Sequence, residues 1–228
     1  MSFLKQIKDI TITNGDWAIM RTDLLTLEGL VQQIESLPYT GKGLVKDEVI
    51  ENTCFPPFLQ VFYYLIFQLR RIPDETLFFE EYLKWLAPTE LTETTFIYNE
   101  QIYSRSGLQA RVLRTYPSLV RDLHFYYFLL ASGKFESVDF SMCTDYCEGL
   151  DLLVTKDKVS YAVSILLNTD RGAEYKVKKE GRHDYSNVTE IKLAVGFNEL
   201  VKKGNIYLLG EKQLVYLLEE IKRIAVGG

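Results

Sequence analysis

The sequence predicts an α/β protein: a helical N-terminal subdomain followed by a mixed-sheet core with flanking helices. Two observations carry that prediction. Apolar residues recur at helical spacing through most of the first 87 residues and again over 105–132. After Gly133 the period falls to two, and short runs rich in β-branched residues take over.

In residues 24–34, Leu24, Leu25, Leu27, Leu30, Val31 and Ile34 fall on one helical face, and Pro38 closes the segment. Gly41-Lys42-Gly43 marks a loop without the spacing of a phosphate-binding loop. Pro56-Pro57 opens a second helix, because proline suits a first turn whose N–H groups have no helical partner. Phe58, Val61, Phe62, Leu65, Ile66 and Leu69 give that helix a broad apolar face. Arg70-Arg71 falls in its last turn, where cations suit the helix dipole. Pro73-Asp74-Glu75 starts a third helix, which ends before Pro88. Residues 87–104 are rich in Thr and Glu and show no clean period, so the boundary is drawn there, between residues 1–104 and 105–228.

Residues 105–132 read as helical, with Pro117 either starting a second helix or kinking a continuous one. Strands are expected over 135–142, 150–154, 159–167, 188–197 and 206–209, with a short helical turn within 197–203. Residues 211–224 form a closing amphipathic helix with Leu214, Leu217, Leu218 and Ile221 inward.

Composition excludes little. With 228 residues and 47% hydrophobic content the chain can build a substantial core. A formal net charge of -5 argues against nonspecific coating of nucleic acid, although an acidic average can hide a local basic face. The apolar run 58–69 contains Gln60 and Gln68 and is short of the roughly 20 residues a membrane helix needs, so no membrane span is expected. Without a secretory signal pattern at the N-terminus, and with the odd count Cys54, Cys143 and Cys147, the expectation is reduced thiols and a cytoplasmic location. Cys143 and Cys147 lack the second pair that a structural zinc site needs.

The chemistry concentrates between residues 148 and 183. Glu148-Gly149-Leu150-Asp151 opens a strand, and Asp170, Arg171, Glu174, Lys176, Lys178, Lys179, Arg182 and His183 follow the long apolar strand 159–167. Carboxylates at a strand mouth beside a Lys/Arg/His cluster suit a hard divalent ion and phosphate oxygens. Helix, three-stranded meander, strand and helix over about residues 105–224 resemble the core of the PD-(D/E)XK nuclease superfamily. In that family an acidic residue opens the second strand and a carboxylate-x-Lys triplet follows on the third. The resemblance implies a Mg²⁺- or Mn²⁺-dependent endonuclease hydrolysing DNA phosphodiester bonds.

On this reading Asp151 is the leading metal ligand, with Glu148 and Asp170 in support. The third-strand position carries Ala162, Val163, Ser164 and Ile165, so Glu174-Tyr175-Lys176 supplies the literal triplet. Glu174 and Lys176 then complete the catalytic set. The carboxylate of Asp151 is expected within about 8 Å of Glu174 or Asp170. Arg171, Lys178, Lys179, Arg182 and His183 are assigned to phosphate. The helix before the meander carries Arg111, Arg114 and Arg121 in place of the glutamate many members use. The competing reading is a catalytically inactive nuclease-fold module that binds nucleic acid or a protein partner. The N-terminal helical part then serves a homodimer or partner contact. His124 reads as a packing residue.

Replacing Lys176, Lys178, Lys179 and Arg182 with Ala is expected to weaken DNA binding across sequences and to flatten its salt dependence. Each lost phosphate contact lowers the log-log slope by about 0.9 on duplex DNA. Titrations at several salt concentrations measure this, and an unchanged slope removes these residues from phosphate recognition.

Overall fold

The computed structural model describes residues 20–168 and 189–227. Its first helices begin where short polar side chains accept the N–H groups a helix start leaves open. Thr26 accepts from Gly29 at α1 (Leu27–Ser36). Asp47 accepts from Val49 and Ile50 at α2 (Glu48–Asn52). Helix α3 (Phe58–Leu69) follows Pro57 and stops at Arg70, whose φ of 55° turns the chain left-handed. Asp74 then accepts from Leu77 at α4 (Glu75–Leu86).

The aperiodic stretch after α4 is a small antiparallel sheet, β1 (Glu90–Leu91), β2 (Thr95–Tyr98) and β3 (Gln101–Ser104), in the order β1-β2-β3. Asn99 and Glu100 both take positive φ, 49° and 63°, as a two-residue hairpin turn requires.

Ser104 accepts the Gly107 N–H and starts α5 (Arg105–Ser132), 28 residues long and ended by Gly133 at φ 61°. Pro117 lies inside this one helix rather than dividing it. Its missing N–H deprives the Leu113 carbonyl of a helical donor. Gly41 packs against that carbonyl so closely that an added Cβ would lie 2.8 Å from the oxygen. The loop is held there by Glu75, a buried carboxylate accepting from the Thr40 N–H and hydroxyl, each at 2.8 Å, and from the Gly41 N–H at 3.3 Å.

Helix α5 anchors its surroundings through polar tips on buried side chains. The Tyr116 hydroxyl donates to the Pro73 carbonyl (2.6 Å), and that of Tyr127 to Arg21 (2.7 Å). Arg121, 6% exposed, donates from Nε to the Tyr207 carbonyl at 2.8 Å.

The second sheet has the order β4-β5-β6-β7. Strands β4 (Ser137–Asp139), β5 (Leu152–Lys156) and β6 (Val159–Leu167) form an antiparallel meander, and β7 (Thr189–Val195) lies parallel to β6. Val138, Val154, Val163, Ile191 and Leu193 belong to the same hydrophobic core as Ile34, Phe62, Tyr82 and Leu123. The hairpin β8 (Val201–Lys203) and β9 (Ile206–Leu208) turns at Gly204, and α6 (Glu211–Gly227) closes the described chain. Among the described residues no helix is long and apolar enough to cross a membrane.

His124 packs in this core at 5% exposure, stacked on Phe128, and its Nδ1 has no hydrogen-bond partner. Burial pushes its pKa from 6.5 down to about 4. The folded state therefore takes up the proton only at lower pH than the unfolded chain does. The stability that neutral His124 contributes is present above about 6.5 and is lost as pH falls through about 4. Over that window the loss is of order 3 kcal/mol. His124→Phe should flatten this part of a stability-versus-pH curve measured by urea unfolding, and an unaltered curve assigns the acid sensitivity elsewhere.

Candidate functional site

The turn before β5 positions the residue that the sequence reading ranks first. Residues Thr144–Glu148 form one π-helical turn, ended by Gly149 at φ 71°. The Leu150 N–H then donates back to Thr144 at 3.1 Å. Asp151 follows, half-buried, its N–H donating to the Val163 carbonyl at 3.0 Å and its carboxylate accepting the Ile165 N–H at 2.5 Å. The regular ladder between β5 and β6 ends with Leu152 opposite Val163. The Asp151 side chain therefore serves the β6 backbone where β5 has run out, and its two bonds bracket Ser164.

Charge gathers around this position. Tyr63 of α3 is 2% exposed, and its hydroxyl is held well above the ordinary phenol range, first by burial and then by the negative charges of Asp122, Asp145 and Asp151. Those three carboxylates come from α5, the π-helical turn and the head of β5. Asp122 lies on α5, which packs against α3. Among the described residues no three His, Cys, Asp or Glu side chains group closely enough to hold a metal by themselves. The oxygen-only donors nonetheless suit a hard ion that takes one or two carboxylates and completes its shell with water and phosphate.

Of the residues assigned from the sequence, Glu148 is exposed at the end of the π-helical turn, three residues before Asp151. Asp170, Arg171, Glu174, Lys176, Lys178, Lys179, Arg182 and His183 lie outside the described residues, as does the expected approach of Asp151 to Glu174 or Asp170. The described chain leaves β6 at Asn168, whose N–H donates to Val195 at 2.9 Å. Because β5 runs opposite to β6, Asn168 and Asp151 occupy the same end of the sheet. At the third-strand position Ser164 is 3% exposed and its hydroxyl has no partner.

Arg111 and Arg114 are committed to structure. Arg111 donates to the carbonyls of Ile50 and Thr53 at the end of α2, and Arg114 pairs with Glu51.

The sequence reading passed over two features. Glu190-Ile191-Lys192 on β7 spells a second carboxylate-x-Lys triplet, in register with Ala162 and Ser164, its two charges 3.8 Å apart. Its spelling was legible, but the segment was read only as a strand. Asp145 and Asp122 carry no local signal, since their influence on Tyr63 arises only through tertiary packing.

Comparison of the chain with protein-family models, with curated proteins and with solved structures finds no match.

Proposed function

We propose that this chain is a metal-dependent nuclease of the PD-(D/E)XK type, hydrolysing DNA phosphodiester bonds. The observation that carries the reading is the placement of Asp151. It stands where β5 ends in an antiparallel meander extended by a parallel fourth strand, its carboxylate accepting the Ile165 N–H, and its charge is one of three that, after burial, raise the Tyr63 hydroxyl. In the proposed site Asp151, with Asp122 or Asp145, would hold Mg²⁺ or Mn²⁺, and Glu148 would stand in support. The ion would supply charge stabilisation on the phosphate and a more acidic bound water. The chain's own contribution is orientation. The Ile165 N–H fixes one oxygen of Asp151 in place, so little freedom is lost on binding. Glu174 and Lys176 complete the proposed catalytic set, Asp170 is a further ligand, and the cations from Arg171 to His183 take the phosphates.

A second reading has its own support. On β6 the chain carries Ala162 and Ser164 where the family places its carboxylate and lysine, which favours a nuclease-fold module that binds nucleic acid or a protein partner without cleaving.

Asp151→Asn separates the two. Asparagine keeps an oxygen for the Ile165 N–H but removes the charge, so the fold should persist, with Tm within a few degrees of wild type. Mg²⁺-dependent cleavage of plasmid and of single-stranded DNA should fall by about 10²-fold or more. Cleavage retained by the pure variant overturns the assignment of Asp151, and absence of any cleavage by the wild-type protein favours the binding module.

A further inference from the structure

The chain leaves β7 at the same end of the sheet as Asp151 and enters a 3-10 turn, Phe197–Glu199. Phe197 is 47% exposed, and its ring packs 4.4 Å from that of Tyr207, leaving its other side to solvent. Tyr207 stands directly opposite Lys202 in the β8/β9 hairpin, and the Lys202 ammonium lies 6.0 Å from the Tyr207 ring centroid.

This surface is fixed from beneath. The Tyr207 carbonyl accepts from buried Arg121 of α5, and Gln213 of α6 bridges the Gly210 N–H and the Glu199 carbonyl. The Glu199 carboxylate accepts the Gly196 N–H. An exposed ring on a rigid mount beside a lysine has the two features that bind a nucleic-acid strand through its bases: a π-face for stacking and a cation for the backbone.

We propose that Phe197, backed by Tyr207 and flanked by Lys202, is a stacking platform for an unpaired base of the DNA strand engaged at the Asp151 end of the sheet. The substrate class is then DNA with single-stranded character rather than intact duplex. This rests on the nucleic-acid reading above. By register Asp151 falls opposite Ser164 and Lys192, so two strand spacings and five residues of chain separate it from Phe197, roughly 19 Å, a span that a few unstacked nucleotides bridge.

The test measures binding of a fluorescein-labelled 20-nucleotide oligo-dT and of a 20-base-pair duplex to the full chain, by anisotropy with EDTA present so that no cleavage intervenes. Phe197→Ala should weaken oligo-dT binding by about tenfold and leave duplex binding within about twofold. Phe197→Trp should restore the affinity, and the indole emission it adds to that of the wild-type protein should be quenched by unlabelled oligo-dT, a signal that a purely structural role does not produce. If Phe197→Ala also lowers Tm, the Phe197→Trp variant alone decides. Wild-type binding to oligo-dT that Phe197→Ala leaves unchanged, or an added emission in Phe197→Trp that oligo-dT does not alter, overturns the platform while the nuclease reading stands. Wild-type protein that binds neither oligonucleotide overturns both, and points to a protein partner for this surface.

Discussion

A helix of 28 residues that is apolar around much of its circumference must be covered on several sides, and α5 sets this constraint for the whole chain. The N-terminal helices cover it from one direction and the second sheet with the β8/β9 hairpin from another, which is why one hydrophobic core runs from Met20 to Ile221. The polar tips of its buried residues then fix register. Tyr116, Arg121 and Tyr127 each reach a backbone carbonyl of a different segment, and leaving those groups unpaired in the interior would cost about 1–3 kcal/mol each. Pro117 adds a local demand of its own. The carbonyl it leaves without a helical donor is where the Gly41 loop packs, so a residue that ordinarily breaks helices here specifies a tertiary approach.

The same helix shapes the candidate site. Packing of α3 against α5 helps to bury Tyr63, whose hydroxyl is held above the ordinary phenol range first by burial and then by the negative charges of Asp122 on α5, Asp145 and Asp151. Asp151 carries two duties in this arrangement. One carboxylate oxygen completes the backbone bonding of β6 beyond the end of β5, and the charge helps to raise the Tyr63 hydroxyl. The bond to the Ile165 N–H fixes the orientation of that carboxylate.

The sequence made the elements legible where period and punctuation agreed. Helices α3 and α4 follow Pro57 and Asp74 and carry unbroken apolar stripes, and β6 matches its expected span residue for residue. Helix α2 and strands β1 to β3 were not legible, because five-residue and shorter elements hold too few positions to display a period. The turn of the hairpin is Asn99-Glu100 rather than a glycine pair, so its usual spelling was missing as well. Asp151 was visible because a glycine turn precedes it and an apolar run follows. Asp122 and Asp145 were not, since no local pattern marks a residue that matters only after helix α5 has met the sheet. Glu190-Ile191-Lys192 differs again, being spelled plainly in the sequence while its register beside Ser164 appears only in the sheet.

On the proposed nuclease reading, the carboxylate of Asp151 at this end of the sheet would bind a divalent ion. A crystal structure grown with Mn²⁺ and measured for anomalous scattering tests it most directly. The expected result is an ion about 2.1 Å from a carboxylate oxygen of Asp151, sharing a second carboxylate from Asp122, Asp145 or the chain beyond Asn168, with the Ile165 N–H still bound to Asp151. An anomalous map with no ion at Asp151 at millimolar Mn²⁺, and the three aspartates occupied by protein cations instead, would contradict it.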